Sequence, residues 1–297
     1  MKFLLLGHFC FDVHHQPDGT EQVRFGGIYH ALITMSSILE KGDTAVPVFG
    51  LGKADFDEVM EHLSGLSNVS TEGIFKLPDA TNRVHYFASK DHSPVACSRD
   101  IAPPIPYEKI RRSLSAGGVL VNMVSGFDIT LETLDHIRIA IRSHNISLHF
   151  DYHNLTLGID KEHRRFRRPV EEWRRWAFMA DTVQLNEEEI GGLTPDRMTE
   201  DHVIAHLLTL GIKCVVITRG AGGASVFVNE HKHVHRTDIP GISANGGKAD
   251  PTGSGDVFGA AFHYQYVKTS DLPGSAEFAN RIAASHITQV AANRRSP

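Results

Sequence analysis

The sequence predicts an α/β fold, in which helices cover both faces of a mostly parallel central sheet and a small β-sheet lid is added. Short apolar runs of strand length alternate along the chain with segments whose apolar residues recur every three or four positions, the spacing of a helix face. The chain has 297 residues, of which 41% are hydrophobic, so it can bury the two-sided core that such a sheet needs.

The short apolar runs are predicted to be the strands of the sheet. The first run lies within MKFLLLGHFCF, which we interpret as a buried strand and not as a signal peptide, because His8 breaks the run and no small-residue cleavage site follows. The runs are 3–6, 45–49, 118–124, 146–150, 182–185 and 213–217.

The segments between most of these runs have helical spacing. Strands that alternate with helices indicate a parallel sheet, whose ligands bind at the carboxyl ends of the strands. The predicted helices are 28–40, 55–65, 130–144, 199–210 and 256–267.

Two stretches, 11–25 and 82–99, do not fit this alternation. Both have the pattern of hairpin strands with polar outward faces, so we predict that they form an accessory sheet, the lid, inserted in the N-terminal half. No linker rich in Pro, Gly or Ser, no low-complexity tract and no repeat divides the sequence. Residues 1–297 are therefore predicted to form a single α/β domain that carries the lid.

Charge and cysteine content limit the partners and the compartment. A formal net charge of −5 gives no overall attraction to nucleic acid or anionic lipid, so we expect a small-molecule ligand, no nucleic acid and no membrane. No run reaches the about 18 apolar residues that a membrane span requires. Cys10, Cys97 and Cys214 are too far apart in sequence for a zinc motif or a disulfide framework, which favours a cytoplasmic protein.

A glycine-rich turn, DPTGSGD at 250–256, directly precedes an apolar helix. Such a turn exposes backbone N–H groups at the positive end of the helix dipole, where phosphate oxygens bind. The turn chemistry alone leaves two interpretations of Asp256 open. It caps the helix, as Asp often does, or it lies beside a phosphate site.

The same seven residues resemble the D-T-x-G-A-G-D signature of the ribokinase-like, PfkB-type carbohydrate kinases, with Pro251 and Ser254 as differences. Other landmarks of that family occur in the family's order along nearly the whole chain, so the sequence is identified as similar to this family. They are Gly7 and Asp12, Gly26 and Gly27, Gly52 and Asp55, Asn186 and Glu189, and Thr218, Gly220 and Gly223.

The resemblance implies an ATP-dependent kinase, a transferase that phosphorylates a hydroxyl of a small sugar or sugar-like molecule. It implies that Asp256 is the general base of this reaction. It also implies that the backbone N–H groups of Gly253, Ser254 and Gly255 form an anion hole for the transferred phosphoryl group.

The resemblance also implies a sugar site and a magnesium site. Asp12, Gly26 and Gly27 would bind the sugar, although the two glycines also suit a tight strand-to-helix turn. Asn186 and Glu189, three residues apart on one helix face, would hold a hydrated Mg²⁺ and the phosphates; an exposed polar cap is the alternative for this pair.

The nucleotide site implied by the resemblance is the loop that contains Thr218, Gly220 and Gly223, whose backbone would approach the phosphates closely. The family pattern leaves activation by a monovalent cation open. Lids of this family often pair between subunits, so the resemblance also implies a homodimer formed through the lid.

The acceptor side departs from the family pattern. Ala31 stands where the family usually has an Asn that touches the sugar, with His30 beside it. Asn154 comes one residue late for the family's Asp-x-Asn-x-Arg segment, and no Arg follows. Two alternatives therefore stay open: a nucleoside kinase of the same fold, and a sugar- or nucleotide-binding regulatory protein with little turnover.

Overall fold

The computed structural model describes residues 1–87, 95–242 and 251–293. These residues form a nine-stranded sheet flanked by helices, a separate four-stranded sheet and a two-stranded hairpin. This architecture confirms the predicted α/β class. Within the described ranges, no helix combines the length and the apolar character needed to cross a membrane.

Each predicted strand and helix overlaps an observed one. The strands are β1 (Lys2–Leu6), β2 (Phe9–His15), β3 (Glu21–Gly27), β4 (Thr44–Gly52), β5 (Ile74–Leu77), β6 (Asn82–Phe87), β7 (Val95–Arg99), β8 (Gly118–Asn122), β9 (Ser147–Asp151), β10 (Leu157–Ile159), β11 (Arg165–Arg167), β12 (Thr182–Asn186), β13 (Cys214–Thr218), β14 (Gly223–Glu230) and β15 (His233–Pro240). The helices are α1 (Ile28–Ile38), α2 (Phe56–Ser64), α3 (Tyr107–Ile110), α4 (Leu131–Arg142), α5 (Trp173–Phe178), α6 (Glu187–Gly192), α7 (Glu200–Thr209), α8 (Ser254–Thr269) and α9 (Leu272–Asn293).

The large sheet has the strand order β15-β14-β13-β12-β9-β8-β1-β4-β5. The strands from β13 to β5 are parallel to their neighbours, and β14 and β15 are antiparallel additions at one edge. The register aligns Asn122 with Asp151, and Asp151 with Gln184. The carboxyl ends of these strands therefore bring polar side chains from distant parts of the chain to one edge.

Helix α8 lies against the middle of this sheet and is packed between α1 and α9. Residues 256–264 of α8 are all buried. The central strand β1 is also buried on both faces, with Phe3 and Leu6 fully inaccessible, as its continuous apolar run predicts. The first turn of α8 is thereby held rigidly at the carboxyl edge of the sheet.

The four-stranded sheet has the order β3-β2-β6-β7 and is drawn from the two stretches predicted to form the lid. Residues 88–94 of the second stretch lie outside the described residues. Strand β3 runs without a break into α1. Strand β7 contacts the segment before β11, because the Ser98 N–H donates to the carbonyl of His163 at 2.9 Å. The hairpin β10–β11 is thus joined to the lid.

Candidate active site

A cleft of about 670 Å³ lies between the lid and the carboxyl edge of the large sheet. It brings together four of the predicted site residues, Asp12, Gly27, Gly253 and Asp256. The side chains that join them are Cys10, His30, Val84, Tyr86, Val124, His153, Asn154, Arg165 and Thr252. The enclosed part of this space is about 260 Å³, slightly below the about 300 Å³ at which typical small-molecule sites begin.

Asp256 lies in the first turn of α8 and is 4% exposed. The N-cap of α8 is Gly253, and among the described residues no side chain makes a capping hydrogen bond, so the interpretation of Asp256 as the cap is wrong. Asn122 instead donates a hydrogen bond from Nδ2 to Oδ1 of Asp256 at 2.6 Å. The Nε2 atom of His153 lies 3.9 Å from the same oxygen. The carboxylate is therefore held inside the cleft.

The turn before α8 depends on Gly253, whose φ of 77° lies in the left-handed region. A Cβ at this position would overlap the ring of His30. The N–H of Ser254 donates to the carbonyl of Pro251 at 3.0 Å, so it is already engaged in the turn. Among the described residues, the N–H groups of Gly253 and Gly255 have no acceptor. The predicted anion hole is thus reduced to these two glycines.

A second layer of polar side chains lies behind Asp256. Gln184 donates from Nε2 to Oδ2 of Asp151 and to the carbonyl of Gly255, each at 3.0 Å. Oxygen atoms of Asp151 and Asp256 and a ring nitrogen of His153 all lie within 4.8 Å of one another. Burial raises the pKa of Asp151 well above its usual range, and the nearby negative charges of Glu189 and Asp256 raise it further.

Asn186 and Glu189 bind each other at the start of α6. The Asn186 Oδ1 accepts from the Glu189 N–H at 2.8 Å, and the Glu189 Oε2 accepts from the Asn186 N–H at 2.8 Å. Asn186 is therefore the N-cap of a capping box. Glu189 is only 3% exposed, so the alternative that this pair is an exposed polar cap is wrong. Burial raises the pKa of the Glu189 carboxyl. The pair stands next to the cleft and does not line it.

The predicted nucleotide loop begins at Thr218, which pairs with Asn186 at the ends of β13 and β12. Gly220 and Gly223 both have positive φ, 53° and 94°. Gly223 is also required by packing, because a Cβ there would overlap the backbone of the β15 end. The loop thus begins beside Asn186, at the carboxyl edge of the large sheet.

On the acceptor side, Asp12 is 5% exposed and packs against Gly26, where a Cβ would overlap its carboxylate. Ala31 is completely buried in the core, whereas the neighbouring His30 enters the cleft. Asn154 donates from Nδ2 to the carbonyl of Val124, so it holds the cleft wall. The first turn of α1 therefore presents His30, and not residue 31, to a ligand.

Sequence patterns did not identify Asn122, Gln184, His153 or Arg165 as site residues. His153 carries a signal in the backbone, since its φ of 36° is unusual for a residue other than glycine and such strain is concentrated at functional sites. Asn122 and Gln184 lie in strands whose carboxyl ends could be aligned only once the strand order was known.

Comparison with known proteins relates the C-terminal part of the sequence to carbohydrate kinases and the whole chain to the ribokinase-like fold. The sequence model of the pfkB family carbohydrate kinases matches residues 163–297. No curated protein matches the sequence. A pyrophosphate-dependent kinase in the ribokinase family has a similar structure, with a TM-score of 0.76 and 18% identity over 97% of this chain and 95% of that chain.

Two further solved structures are similar. Arabidopsis thaliana ribokinase complexed with ribose and ATP has a TM-score of 0.74 and 17% identity over 96% of this chain and 92% of that chain. Burkholderia thailandensis nucleoside kinase in complex with inosine has a TM-score of 0.68 and 16% identity over 97% of this chain and 91% of that chain. These likenesses establish the ribokinase-like fold over nearly the whole chain.

Proposed function

We propose that this protein transfers a phosphoryl group from ATP to a hydroxyl of a small sugar or sugar-like acceptor. Two findings support the proposal: residues 163–297 match the sequence model of the pfkB family carbohydrate kinases, and the chain has the ribokinase-like fold. The observation that carries this proposal is the position of Asp256. Its carboxylate is buried in the cleft, fixed by Asn122, and lies at the helix start where backbone N–H groups are exposed.

Asp256 acts as the general base. Asn122 binds Oδ1, and among the described residues no donor binds Oδ2, which leaves that oxygen to accept the proton of the attacking hydroxyl. Asp12, on the lid side of the same cleft, accepts hydrogen bonds from other hydroxyls of the acceptor. Gly26 allows the lid strand to pass close to this carboxylate, and Gly27 allows the same strand to approach the carbonyl of His8.

The N–H groups of Gly253 and Gly255 stabilise charge on the phosphoryl group during transfer. Gly253 directly precedes α8 and Gly255 lies in its first turn, so the positive end of the helix dipole adds to their effect. Transfer of a phosphoryl group depends mainly on positioning and charge stabilisation, which this turn supplies.

The carboxylates near the turn suit a magnesium ion. Asp151, Glu189 and Asp256 offer oxygen atoms, which Mg²⁺ prefers as ligands. The pKa values of Asp151 and Glu189 are raised, because burial and nearby negative charges disfavour their ionised forms. We assign the ion to Glu189 through water, with Asn186 holding Glu189 in place. When bound, Mg²⁺ neutralises the phosphates of the nucleotide, which Thr218, Gly220 and Gly223 contact.

The four-stranded sheet is the lid of this site, part of a single domain that spans residues 1–297. It supplies Asp12 to the cleft and, by excluding water, limits hydrolysis of ATP. A homodimer formed through the outer face of this sheet, as the family resemblance implies, completes the proposal. Sedimentation at micromolar concentration tests it.

The direct test measures product formation by ³¹P NMR. The donors are ATP and pyrophosphate, since one structural relative uses pyrophosphate, and the acceptors are D-ribose, myo-inositol and inosine, with and without K⁺. A phosphorylated sugar formed with ATP is the expected product. Phosphorylated inosine alone would identify a nucleoside kinase, and tight binding without any product would favour the regulatory alternative.

Asp256→Asn is expected to lower kcat by about 100- to 10,000-fold while the fold is kept, because the general base is lost. Circular dichroism and thermal melting check the fold. Asp201→Asn, in the exposed first turn of α7, is the matched control and should leave kcat unchanged. Normal turnover in the Asp256 variant would overturn the assignment of the base.

A further inference from the structure

His153 places an imidazole beside two buried carboxylates at the cleft. A ring nitrogen of His153 and oxygen atoms of Asp151 and Asp256 all lie within 4.8 Å of one another. Asp151 is 2% exposed and Asp256 is 4% exposed, whereas His153 is half-buried. The three side chains come from the end of β9, from the turn that follows it and from the first turn of α8. They therefore converge from two directions on one point.

The two carboxylates have no basic partner that balances their charge. In the described part of the chain, no Lys or Arg nitrogen lies within 4.0 Å of a carboxylate oxygen of Asp151 or Asp256. Asp151 accepts hydrogen bonds only from the neutral Gln184 amide and from the His153 N–H within this part. Burial raises the pKa of Asp151, and the negative charges of Glu189 and Asp256 raise it further. Buried carboxylates without a counter-charge are costly, so this point favours a cation.

The nitrogen atom determines which kind of cation suits the three side chains. Mg²⁺ binds oxygen ligands and retains several of its waters, whereas imidazole is a good ligand for Zn²⁺, Co²⁺, Ni²⁺ and Cu²⁺. Three ligand atoms around a Zn²⁺ ion, with bonds of about 2.0 to 2.2 Å, lie about 3 to 4 Å from one another. The Nε2 atom of His153 and Oδ1 of Asp256, 3.9 Å apart, already fall in this range. Because the widest pair is at most 4.8 Å apart, a movement of about 1 Å closes the set on an ion.

The imidazole is a feature of this sequence and not of the family pattern. In the Asp-x-Asn-x-Arg segment of the family, an Asn stands two residues after the Asp, and here that position is His153. The φ of His153 is 36°, and its N–H donates to Oδ1 of Asp151 at 3.2 Å. This strained turn keeps the ring beside the carboxylate.

We infer that Asp151, His153 and Asp256 bind a divalent transition-metal ion, such as Zn²⁺ or Co²⁺, at a site separate from the Mg²⁺ assigned to Glu189. Water from the cleft fills the remaining coordination positions of the ion. One consequence rests on the kinase activity proposed above. While its carboxylate binds the ion, Asp256 cannot accept the proton of an attacking hydroxyl, so a metal at this site inhibits transfer.

Binding of Co²⁺ tests the site without any need for turnover. Metal is removed with EDTA, the protein is dialysed, Mg²⁺ is added in excess, and Co²⁺ is titrated while its visible absorption is recorded. Nitrogen ligation and a low coordination number make this absorption more intense than that of hydrated Co²⁺. We expect one equivalent of Co²⁺ to give the intense band and Zn²⁺ to remove it. Displacement of Co²⁺ by Mg²⁺ would indicate a site made of oxygen ligands alone and would overturn the inference.

His153→Asn removes the nitrogen ligand and introduces a residue that tolerates the left-handed region. It is expected to weaken Co²⁺ binding by about 100-fold or more, since even the hydrogen-bond partners of metal ligands contribute about 10- to 100-fold. Asp151→Asn should weaken binding to a similar extent. The matched control is His163→Asn, at an exposed position that also has a positive φ, 64°, and this variant should retain the affinity.

Circular dichroism checks the fold of each variant. Co²⁺ binding that His153→Asn leaves unchanged would belong to other histidines of the chain and would overturn the inference. Unchanged binding by Asp151→Asn would likewise overturn it, because the site would then lack one of its carboxylates.

Inhibition by Zn²⁺ connects the site to the proposed base. With ATP and excess Mg²⁺, saturating Zn²⁺ is expected to lower the rate by about 100- to 10,000-fold, the contribution of a general base. EDTA should restore the rate, and His153→Asn should require about 100-fold more Zn²⁺ for the same fractional inhibition. Full turnover with Zn²⁺ bound would show that Asp256 is not a ligand and would overturn the inference. Absence of turnover without Zn²⁺ would instead count against the kinase proposal, and the Co²⁺ titration would then decide the metal site by itself.

Discussion

Asn122 determines how Asp256 is presented to a ligand. It is the last residue of β8, is 1% exposed, and donates to Asp256 through Nδ2. Its own Oδ1 is buried and has no hydrogen-bond partner among the described residues. An unpaired buried acceptor costs about 1 to 3 kcal/mol, so fold stability does not explain this side chain. Its contribution is to hold the carboxylate.

Asn122→Leu, which keeps the side-chain volume, is therefore expected to lower kcat by about 10- to 100-fold with little change in KM, because Asp256 loses the group that orients it. The melting temperature should change little, since removal of a buried unpaired oxygen offsets the loss of the hydrogen bond to the buried Asp256 carboxylate. Steady-state kinetics and thermal melting measure both. Asn229→Leu, at an exposed position of β14, is the control. An unchanged kcat would show that Asp256 does not depend on Asn122.

Of the single residues in the cleft, the sequence predicted those that lie in local motifs. Asp12, Gly27, Gly253 and Asp256 meet in one cleft, although their roles remain predictions. Residues such as Asn122 have no local signal, because their position depends on which strands are neighbours. Arg165 was missed for another reason: its strand has only three residues and no alternation of apolar and polar positions.

Among the elements, the turn that leads into α8 requires glycine at position 253. Gly253 is the N-cap in the left-handed region, and the ring of His30 occupies the space where a Cβ would lie. Gly255, two residues later, lies inside the helix, and a Cβ there would meet no atom of the described residues within 4 Å apart from the backbone of its own helix. The backbone therefore requires glycine at position 253, whereas packing does not require it at position 255.

Gly253→Ala is expected to lower the free energy of unfolding by about 1 to 3 kcal/mol, because Ala resists the left-handed conformation and overlaps His30. Gly255→Ala should leave it unchanged or raise it by up to about 1 kcal/mol, because Ala is the better helix residue. Urea unfolding compares the two variants. Equal destabilisation by both would mean that the conformation at Gly253 is not the cause.

The helices and the parallel strands could be predicted because their apolar patterns follow from burial. The antiparallel strand β15 has no such apolar pattern, since nearly all of its residues are exposed and carry polar side chains. Its pairing with β14 depends on backbone hydrogen bonds, which leave no hydrophobic pattern. Strands β10 and β11 are only three residues each, too short for a periodicity to appear.

For the whole molecule, two histidines lie buried between the sheet and the layer of α8. His149 of β9 and His263 of α8 stack with their ring centroids 5.8 Å apart, and both are almost completely inaccessible. Burial lowers the pKa of both rings, that of His263 to about 3. Both are therefore neutral in the folded protein near pH 7, and protonation of either opposes folding.

The free energy of unfolding should fall as the pH decreases below about 6.5, because the unfolded chain then binds protons that the folded chain does not. Each such histidine adds a slope of up to about 1.4 kcal/mol per pH unit until its folded pKa is reached. Urea unfolding of His263→Leu between pH 7 and pH 4 should therefore give a shallower slope than the unmodified protein.

Asp151 and Glu189 have the opposite effect on the free energy of unfolding. Their pKa values are raised in the folded protein, so the folded state binds their protons more readily than the unfolded state as the pH falls. Both carboxylates are present in the unmodified protein and in His263→Leu, so the difference between the pH slopes of these two proteins isolates the contribution of His263. His202→Leu, at an exposed position of α7, is the control and should retain the original slope. Identical slopes for His263→Leu and the unmodified protein would contradict the prediction.

The direct passage from β3 into α1 connects the lid mechanically to the turn that precedes α8. The lid strand ends at Gly27, whose φ is 66°, and three residues later His30 rests on Gly253. A tilt of the lid must therefore either bend the chain at Gly27 or rotate the first turn of α1. Rotation would press on the turn that holds Asp256, whereas bending would leave it undisturbed. If the lid moves, the conformation of Gly27 therefore sets whether that movement reaches Asp256.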